Sequence, residues 1–207
     1  MGKFFVTGIG TGVGKTFACA VLTEALKADY WKPVQCGTVD GTDTQKIKEL
    51  ISNSDSVFHK EGYCFNEPVS PHLAALNENT KIKMDGMVLP HTDKHLVIEG
   101  AGGMMVPLND QAFAIDLARE FEAEVILVCR NYLGCINHSL LSIDYLVKND
   151  FPVRGIILNG NFDKAVRAAI MNYSELPIIA ELPEIKGITK ETVSNLASSV
   201  NISLFED

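Results

Sequence analysis

Four glycines lead into a lysine and a threonine near the start of the chain, in the stretch FFVTGIGTGVGKTFACAVL at residues 4–22. In nucleotide-binding loops of this type, backbone N–H groups surround the phosphates, the lysine reaches the β- and γ-phosphates, and the hydroxyl binds Mg²⁺. Those two roles fall here on Lys15 and Thr16. The stretch therefore predicts a site for a nucleoside triphosphate made of Gly12, Val13, Gly14, Lys15, Thr16 and Phe17.

The spacing of the loop departs from the usual pattern in one respect. G-x-x-x-x-G-K-[ST] requires the first glycine at position 9, but that residue is Ile9 and the glycine is Gly8. An apolar run before the loop and an amphipathic run after it supply the strand and helix that the motif needs. A glycine-rich strand–helix turn with an incidental Lys-Thr pair is the weaker interpretation, because four glycines stand in seven residues before that pair.

Carboxylates are expected beside the threonine, because Mg²⁺ prefers octahedral coordination by oxygen ligands. Glu99 ends the apolar run HLVIE, and ligand sites of open α/β sheets lie beyond the carboxyl ends of the strands. The glycines that follow, among them Gly102, allow the backbone to approach a ligand. Asp40 and Asp43 compete as the second carboxylate. The alternatives are a merely solvated Glu99 and an aspartate that caps a helix over 43–52.

The elements that hold these residues follow from the hydrophobic pattern. Continuously apolar, β-branched runs predict strands buried on both faces at 3–7, 95–99, 124–129, 153–158 and 177–181. Helical patterns lie between them, with one apolar stripe of Ala18, Val21, Leu22 and Ala25 in residues 15–28. A second stripe, in residues 136–148, consists of Ile136, Leu140, Ile143 and Val147. This alternation predicts an α/β fold with a doubly wound, mainly parallel sheet flanked by helices, similar to the P-loop NTPases.

Two segments are less regular. Residues 29–34, DYWKPV, predict a short strand that Pro33 stops, and residues 53–93 contain few periodic apolar residues. The sequence has no internal repeat and no linker long enough to divide it. We therefore expect residues 1–207 to form a single P-loop α/β domain.

Composition excludes several classes of protein. The net charge of −8 argues against binding to nucleic acid, because a phosphate backbone requires a basic face. The five cysteines are odd in number and form no C-x-x-C pair, which favours a reducing compartment over a disulfide framework. Apolar runs are far shorter than the roughly 20 residues of a membrane span. We expect a soluble cytoplasmic protein that binds neither nucleic acid nor membrane.

Several blocks of the chain, beyond the phosphate loop, resemble one family: dethiobiotin synthetase, the ATP-dependent enzyme late in biotin synthesis. FVTGIGTGVGKT looks like that family's own variant of the loop, including the early glycine. The remaining blocks occur in the family's order and are WKPVQCGT 31–38, EPVSPHLAA 67–75, VIEGAGGMMVPL 97–108 and YLGCINHSLLS 132–142. The last two blocks are highly specific together, whereas the phosphate loop alone is not.

The resemblance implies an ATP-dependent cyclo-ligase that uses 7,8-diaminopelargonic acid, CO₂ and ATP. One amine captures CO₂ as a carbamate, and a carbamate oxygen attacks the γ-phosphate. The second amine closes the resulting carbamic–phosphoric anhydride to the cyclic urea, and ADP and phosphate are released. Carbamate and γ-phosphate are both anions, so cations must lie between them. Lys15 and Lys32, with Mg²⁺, are the expected positive groups.

Residue by residue, the resemblance implies that Thr16, Asp43 and Glu99 bind the metal. It implies that Lys32 stabilises the carbamate and the γ-phosphate, and that Lys15 is the second catalytic residue.

On the substrate side the resemblance implies Lys32, Cys36, Thr38 and Thr11, the last of which contacts either the substrate or the phosphates. Cys36 stands where the family often has serine, and a thiol is a weaker hydrogen-bond donor than a hydroxyl. We therefore expect Thr38 or backbone groups to compensate. Gly12 stands where relatives are often acidic, so a side-chain contact to substrate is expected to be missing there.

The helix predicted at 136–148 begins with LGCIN, whose N–H groups and positive dipole end suit an anion. In the family this helix start caps the substrate carboxylate from the neighbouring subunit. The resemblance therefore implies a homodimer with sites at the subunit interface, and substrate contacts from Gly134, Cys135, Ile136 and Asn137.

The nucleotide base is expected near the turn after strand 153–158. Asn159 in LNGN resembles the family's adenine-side asparagine, and Leu182 and Pro183 resemble its later base neighbours. ATP is the expected nucleotide, since no N-K-x-D guanine motif follows that strand.

Two other functions are compatible with a phosphate loop. A related amidoligase domain usually carries a glutaminase domain, for which 207 residues leave no room. A partition- or septum-type ATPase switch generally has an extra lysine early in the loop, where Ile9 and Gly10 stand here.

Overall fold

Eight parallel-paired strands occur in the computed structural model, which describes residues 1–206. They are β1 Lys3–Gly8, β2 Asp29–Trp31, β3 Val34–Cys36, β4 Tyr63–Phe65, β5 Leu96–Glu99, β6 Glu124–Arg130, β7 Val153–Asn159 and β8 Ile178–Leu182. Six of them form the central sheet in the order β2-β5-β1-β6-β7-β8, and β3 pairs with β4 in a small second sheet. All five strands predicted from the apolar runs are present, and the predicted fold class is confirmed.

Seven α-helices cover the two faces of the central sheet within residues 1–206. They are α1 Lys15–Leu26, α2 Asp43–Leu50, α3 Pro71–Asn77, α4 Asp116–Glu120, α5 Cys135–Lys148, α6 Lys164–Ser174 and α7 Lys190–Ala197. Helices α1, α2 and α7 contribute to one hydrophobic cluster, and α3 to α6 contribute to the other. No helix within this described part of the chain is long and apolar enough to cross a membrane.

Burial on both faces explains why the strands read as continuous apolar runs. Side chains alternate across a strand, so Phe5 enters one cluster while Phe4 and Val6 enter the other. Every residue of β5 is buried, including the terminal Glu99. Because β1 lies between β5 and β6, the loops after these strands meet at one edge of the sheet.

The short strand predicted in residues 29–34, stopped by Pro33, is present as β2. β2 ends at Trp31, and after Pro33 the chain enters β3, which leaves the central sheet to pair with β4. Proline has no N–H to donate, but its carbonyl still accepts a hydrogen bond from the amide of Tyr63 at 2.8 Å. The chain therefore passes from the central sheet to the second sheet at Pro33, and Lys32 immediately precedes this proline.

The predicted apolar stripes are only partly correct. In α1 the residues Ala18, Val21 and Leu22 are buried as expected, but helices α2 and α7 cover the opposite side and bury Thr23 as well. In α5 the buried side is rotated, and Val147 is 57% exposed. The residues that α5 does bury include Cys135, Ser139, Ser142, Ile143 and Leu146. Small side chains allow close packing without an apolar signal in the sequence.

Neither Asp40 nor Asp43 is the N-cap of α2, so the alternative in which an aspartate caps this helix is wrong. Thr42 is the N-cap: its hydroxyl accepts a hydrogen bond from the Gln45 amide at 3.2 Å, and the Gln45 side chain accepts one from the Thr42 amide at 2.9 Å. This reciprocal pair is a capping box. Asp43 is the first helical residue, and its carboxylate is consequently available for other contacts.

Candidate functional site

The phosphate loop connects β1 to α1 directly. The strand ends at Gly8, and the helix begins at Lys15 after Gly14, whose φ of 90° lies in the left-handed region. No side chain caps this helix. The N–H groups of its first turn have no intrahelical acceptor, so they and the helix dipole form a ready site for a phosphate.

Gly14 is in close contact with Asn159 at the end of β7. A Cβ atom on residue 14 would lie 2.1 Å from Nδ2 of Asn159, so only glycine fits. The same Nδ2 donates a hydrogen bond to the carbonyl oxygen of Val13 at 2.8 Å. Asn159 also pairs with Leu182 in the register of β7 and β8. Of the residues predicted near the base, Asn159 thus contacts the phosphate loop, and Leu182 lies beside Asn159.

The carboxylate of Glu99 accepts hydrogen bonds at both oxygens. Oε1 accepts from the Thr16 hydroxyl at 2.9 Å and from Lys32 Nζ at 2.8 Å. Oε2 accepts from the hydroxyl of Tyr30 at 2.8 Å. Glu99 is the last residue of β5. Its partners are Thr16 in α1, Tyr30 in β2 and Lys32 between β2 and β3.

A second carboxylate completes the group. Asp43 Oδ2 lies 2.6 Å from Lys32 Nζ, so one ammonium bridges Asp43 and Glu99. Asp43 Oδ1 also lies 3.9 Å from the more exposed Lys46. The structure therefore brings together four residues predicted from distant blocks of the sequence: Thr16, Lys32, Asp43 and Glu99.

Burial and neighbouring charges shift the pKa values of Lys32 and Asp43 in opposite directions. Burial alone lowers the pKa of Lys32, but Glu99 and Asp43 outweigh it and hold that pKa above its ordinary value. Burial likewise raises the pKa of Asp43, but Lys32 outweighs it and the net pKa is lowered. Both groups are therefore charged at neutral pH.

Burial is the largest influence on the pKa of three neighbouring groups. Burial lowers the pKa of Lys15, although Glu99 opposes this, and the Lys15 ammonium lies 3.5 Å from the carbonyl oxygen of Gly10. Burial raises the pKa of Cys36 to about 11, although Lys32 opposes this. The thiol of Cys36 is therefore protonated at neutral pH and acts only as a weak donor. Burial also raises the pKa of Tyr30 well above its ordinary value.

Of these groups, all but the fully buried Tyr30 border one cavity of about 600 Å³. Ten of the residues predicted from the sequence line it, namely Thr11, Gly12, Gly14, Lys15, Thr16, Lys32, Cys36, Asp43, Glu99 and Gly102. The rest of its wall is mainly apolar and consists of Val34, Pro68, Val69, Ser70, Pro71, Ala101 and Val106. The cavity thus has a charged end at the phosphate loop and an apolar side.

Several predicted residues do not line this cavity in the described part of the chain. Val13 and Phe17 are buried in the core beneath the loop. Leu182 is buried and Pro183 is exposed at the end of β8. Thr38 lies in the loop after β3, where its hydroxyl donates to Asn66 at 3.3 Å.

The start of α5 is also outside the cavity of this chain, as far as residues 1–206 describe it. Gly134 precedes the helix with a φ of 99° and supplies no side-chain cap. The amide of Cys135 donates to the carbonyl of Tyr132 at 3.0 Å, which corrects the prediction that it is free for an anion. The amides of Ile136 and Asn137 are the remaining first-turn donors.

The donor set fits a magnesium ion bound together with a nucleotide. Residues 1–206 contain no group of three or more His, Cys, Asp or Glu side chains that could hold a metal by itself. Nevertheless, the Asp43 and Glu99 carboxylates both contact the Lys32 ammonium, and the Thr16 hydroxyl bonds the same Glu99 oxygen that Lys32 contacts. Mg²⁺ is usually held by one or two carboxylates and completes its octahedron with phosphate oxygens and water.

Sequence reasoning missed two buried polar residues of the site. Tyr30 could have been found from the two-residue repeat of a strand, because Tyr30 and Lys32 share one side of the backbone. Gln35 gave no signal: its Oε1 accepts from the Asp43 amide at 3.1 Å, and its Nε2 donates to the carbonyls of Cys36 and Gly37. It thereby ties the start of α2 to β3.

The chain has close relatives along nearly all of its length. A family model described as an AAA domain matches residues 2–192. The ATP-dependent dethiobiotin synthetase BioD of Christiangramia forsetii is 47% identical over 182 residues, which cover 88% of this chain and 87% of that protein. The protein of the same name from Cytophaga hutchinsonii is 42% identical over 208 residues, covering 100% of this chain and 98% of that protein.

Solved structures with the same fold are much more distant in sequence. A ParA family ATPase from Chlorobium tepidum has a TM-score of 0.57 and 12% identity, covering 96% of this chain and 99% of its own. The septum site-determining protein MinD of Pyrococcus horikoshii, complexed with Mg-ADP, has a TM-score of 0.57 and 14% identity, covering 97% and 96%. Likeness at this level of identity concerns the fold alone.

Proposed function

Because the chain belongs to the ATP-dependent dethiobiotin synthetase family, we propose that it forms the cyclic urea of dethiobiotin from 7,8-diaminopelargonic acid, CO₂ and ATP. The observation that carries this proposal is the Lys32 ammonium, which lies between Asp43 and Glu99 in the cavity that begins at the phosphate loop. Two anions can react there only if a cation offsets their repulsion. The partition- and septum-type alternative has only the fold in its favour.

The nucleotide phosphates bind at the first turn of α1. Its amides and the positive end of its dipole face the phosphates, and Lys15 reaches the outer ones. The adenine lies at the ends of β7 and β8, where Asn159, Leu182 and Pro183 are its neighbours. The hydrogen bond from Asn159 to Val13 supports this placement of the adenine, because it joins the end of β7 to the phosphate loop.

Magnesium would be held by Thr16, Asp43 and Glu99 together with phosphate oxygens. When bound, it supplies positive charge that offsets the charge developing on the equatorial oxygens during phosphoryl transfer. The chain's own contribution is to hold two carboxylates and a hydroxyl at one place, with Lys32 between them.

The reaction consumes three small molecules in three bond-forming steps. One amine adds to CO₂ and loses a proton, which gives a carbamate. A carbamate oxygen attacks the γ-phosphorus, the bond to ADP breaks, and Lys32 stabilises the charge between carbamate and phosphate. The second amine then attacks the carbonyl carbon of the mixed anhydride. Phosphate leaves with the electron pair of the broken C–O bond, a proton is lost, and the urea ring closes.

The diamine lies along the apolar side of the cavity. Val34, Val69 and Val106 offer apolar surface to a long alkyl chain, whose burial from water is favourable. Thr11 and Cys36 line the same cavity. Their side chains are the proposed contacts to the diamine end of the substrate. The protonated thiol of Cys36 supplies a weaker contact than a hydroxyl.

A homodimer places the start of α5 over the substrate carboxylate of the neighbouring subunit. The amides of Ile136 and Asn137 are the donors for this contact. Leu133 is fully exposed just before this helix, and Leu141 is 60% exposed on its outer side. Exposed apolar side chains at one helix support an interface between subunits.

Sedimentation at assay concentration tests the dimer. We expect a dimer for the natural chain, and for Leu133→Asp an association at least about tenfold weaker, because a buried unpaired carboxylate is costly at an interface. Turnover should fall with the dimer. Val88→Asp is the matched control, since Val88 is also largely exposed but lies in another segment. A fully active monomer of 22.6 kDa would contradict capping across subunits.

Phosphate release tests the reaction itself. With Mg-ATP and bicarbonate present, we expect release that depends on 7,8-diaminopelargonic acid, together with one dethiobiotin per phosphate. An ATPase switch would instead release phosphate without the diamine, and an amidoligase would require another amine and acid. Either result, or no release at all, would remove the synthetase proposal.

We treat residues 1–207 as one P-loop α/β domain that acts in the cytoplasm. Residues from α3 and from the small second sheet share a hydrophobic cluster with the central sheet, which supports one domain. All five cysteines carry free thiols, which suits a reducing compartment.

A further inference from the structure

Tyr30 occupies a rigid position beside the candidate site. It is fully buried in β2, where its amide donates to the carbonyl of Val57 and its carbonyl accepts from the amide of His59, both at 2.9 Å. Its ring packs against Phe58 with centroids 5.9 Å apart. Because the backbone and the ring are both held in place, the position of the hydroxyl oxygen is fixed as well.

The hydroxyl of Tyr30 contacts the carboxylate of Glu99. A phenol has a single proton, and the Tyr30 hydroxyl donates it to Oε2 of Glu99 at 2.8 Å. The other oxygen, Oε1, accepts from Thr16 and Lys32. The two oxygens of one carboxylate are thus distinguished: one is held inside the protein, and the other faces the reaction site.

We infer that Tyr30 is a positioning residue, whose hydroxyl fixes the rotation of the Glu99 carboxylate so that Oε1 faces Thr16, Lys32 and the divalent cation. The inference rests on the proposed function in one respect, the assignment of Glu99 as a metal ligand. Outer-sphere hydrogen bonds of this kind orient metal-binding carboxylates, and their removal typically weakens metal binding 10–100-fold.

A simple core role would give a different result. If Tyr30 only filled space, its hydroxyl could be removed with a loss of stability and nothing more. In our inference, Tyr30→Phe keeps the ring against Phe58 but leaves Oε2 of Glu99 buried without a donor. The carboxylate then rotates towards Lys32 or water, and the effect appears in cation binding.

Manganese binding measured by electron paramagnetic resonance, in the presence of ADP, tests the inference. For Tyr30→Phe we expect Mn²⁺ affinity about tenfold lower than for the natural chain, with turnover restored towards normal at high Mg²⁺. Tyr63→Phe is the matched control, because it removes a hydroxyl that accepts a hydrogen bond from the Lys83 amide. The control should bind Mn²⁺ within about twofold of the natural chain, because the Tyr63 hydroxyl bonds Lys83 and not a proposed metal ligand.

A spectroscopic measurement avoids dependence on the folding of the variant. With 3-fluorotyrosine at position 30, the ¹⁹F resonance should shift as Mg²⁺ saturates the ADP complex. An unshifted resonance, or a folded Tyr30→Phe with unchanged Mn²⁺ affinity, would overturn the inference. Failure of the proposed function is separate, because it appears as absence of diamine-dependent phosphate release by the natural chain.

Discussion

Replacing Lys32 by alanine should lower turnover at least about a hundredfold, as expected when one charge contact to the transition state is lost. The Lys32 ammonium is buried, 2.6 Å from Asp43 and 2.8 Å from Glu99. The substitution therefore also leaves two carboxylates without their counter-ion, which should lower the free energy of unfolding by about 3 kcal/mol. Steady-state phosphate release and urea unfolding measure the two effects.

The controls for Lys32→Ala separate charge from position. Lys46→Ala removes a lysine 3.9 Å from Asp43 that is 49% exposed, and turnover should change less than about threefold. Lys32→Gln keeps a hydrogen-bond donor but not the charge and should be nearly as inactive as alanine.

Divalent cations should raise the free energy of unfolding of Lys32→Ala more than that of the natural chain, because they replace the missing positive charge. A rate close to normal in Lys32→Ala would contradict the role given to this lysine in the carbamate step.

Replacing Gly14 by alanine should lower nucleotide affinity at least about thirtyfold. A left-handed conformation costs a non-glycine residue about 1–2 kcal/mol, and a broken buried hydrogen bond costs about 1–3 kcal/mol more. The new Cβ would lie 2.1 Å from Asn159 Nδ2 and would displace the amide that binds the Val13 carbonyl. Calorimetric titration with ADP measures the affinity.

Gly187→Ala is the matched control for backbone strain. Gly187 has a φ of 74° and no atom within 4 Å of an added Cβ, so its alanine variant suffers strain without a clash. We expect a small loss of stability and normal ADP binding from it. Adding Asn159→Ala to Gly14→Ala removes the clash and should restore part of the free energy of unfolding, but ADP affinity should stay low because the proposed contact of Asn159 with the adenine is lost. If Gly14→Ala alone binds ADP normally, the close contact with Asn159 does not hold the loop.

Fold and function are specified by different parts of this molecule. The fold is shared with a ParA family ATPase and a MinD protein at 12% and 14% identity. The second carboxylate, the bridging lysine and the apolar side of the cavity lie in segments after β2 and β5. Function therefore has to be argued from these residues and from the relatives at 42–47% identity, not from the fold.

The sequence by itself determined the local elements. The buried strands could be predicted because strands covered on both faces are continuously apolar, and the phosphate loop because its glycines, lysine and hydroxyl are neighbours in the chain. The predicted boundaries differ from the structure by at most two residues for β1, β5, β6 and α1.

Only the tertiary structure decided which distant residues meet. Lys32 bridges Asp43 and Glu99, Tyr30 selects one oxygen of Glu99, and Asn159 supports the phosphate loop across 146 residues. These contacts depend on the order of strands in the sheet and on the turn at Pro33, where the chain leaves one sheet for another. Hydrophobic periodicity reports which face of an element is buried, but it carries no information about the partner that buries it. Charged and polar contacts between separate elements are therefore fixed by packing.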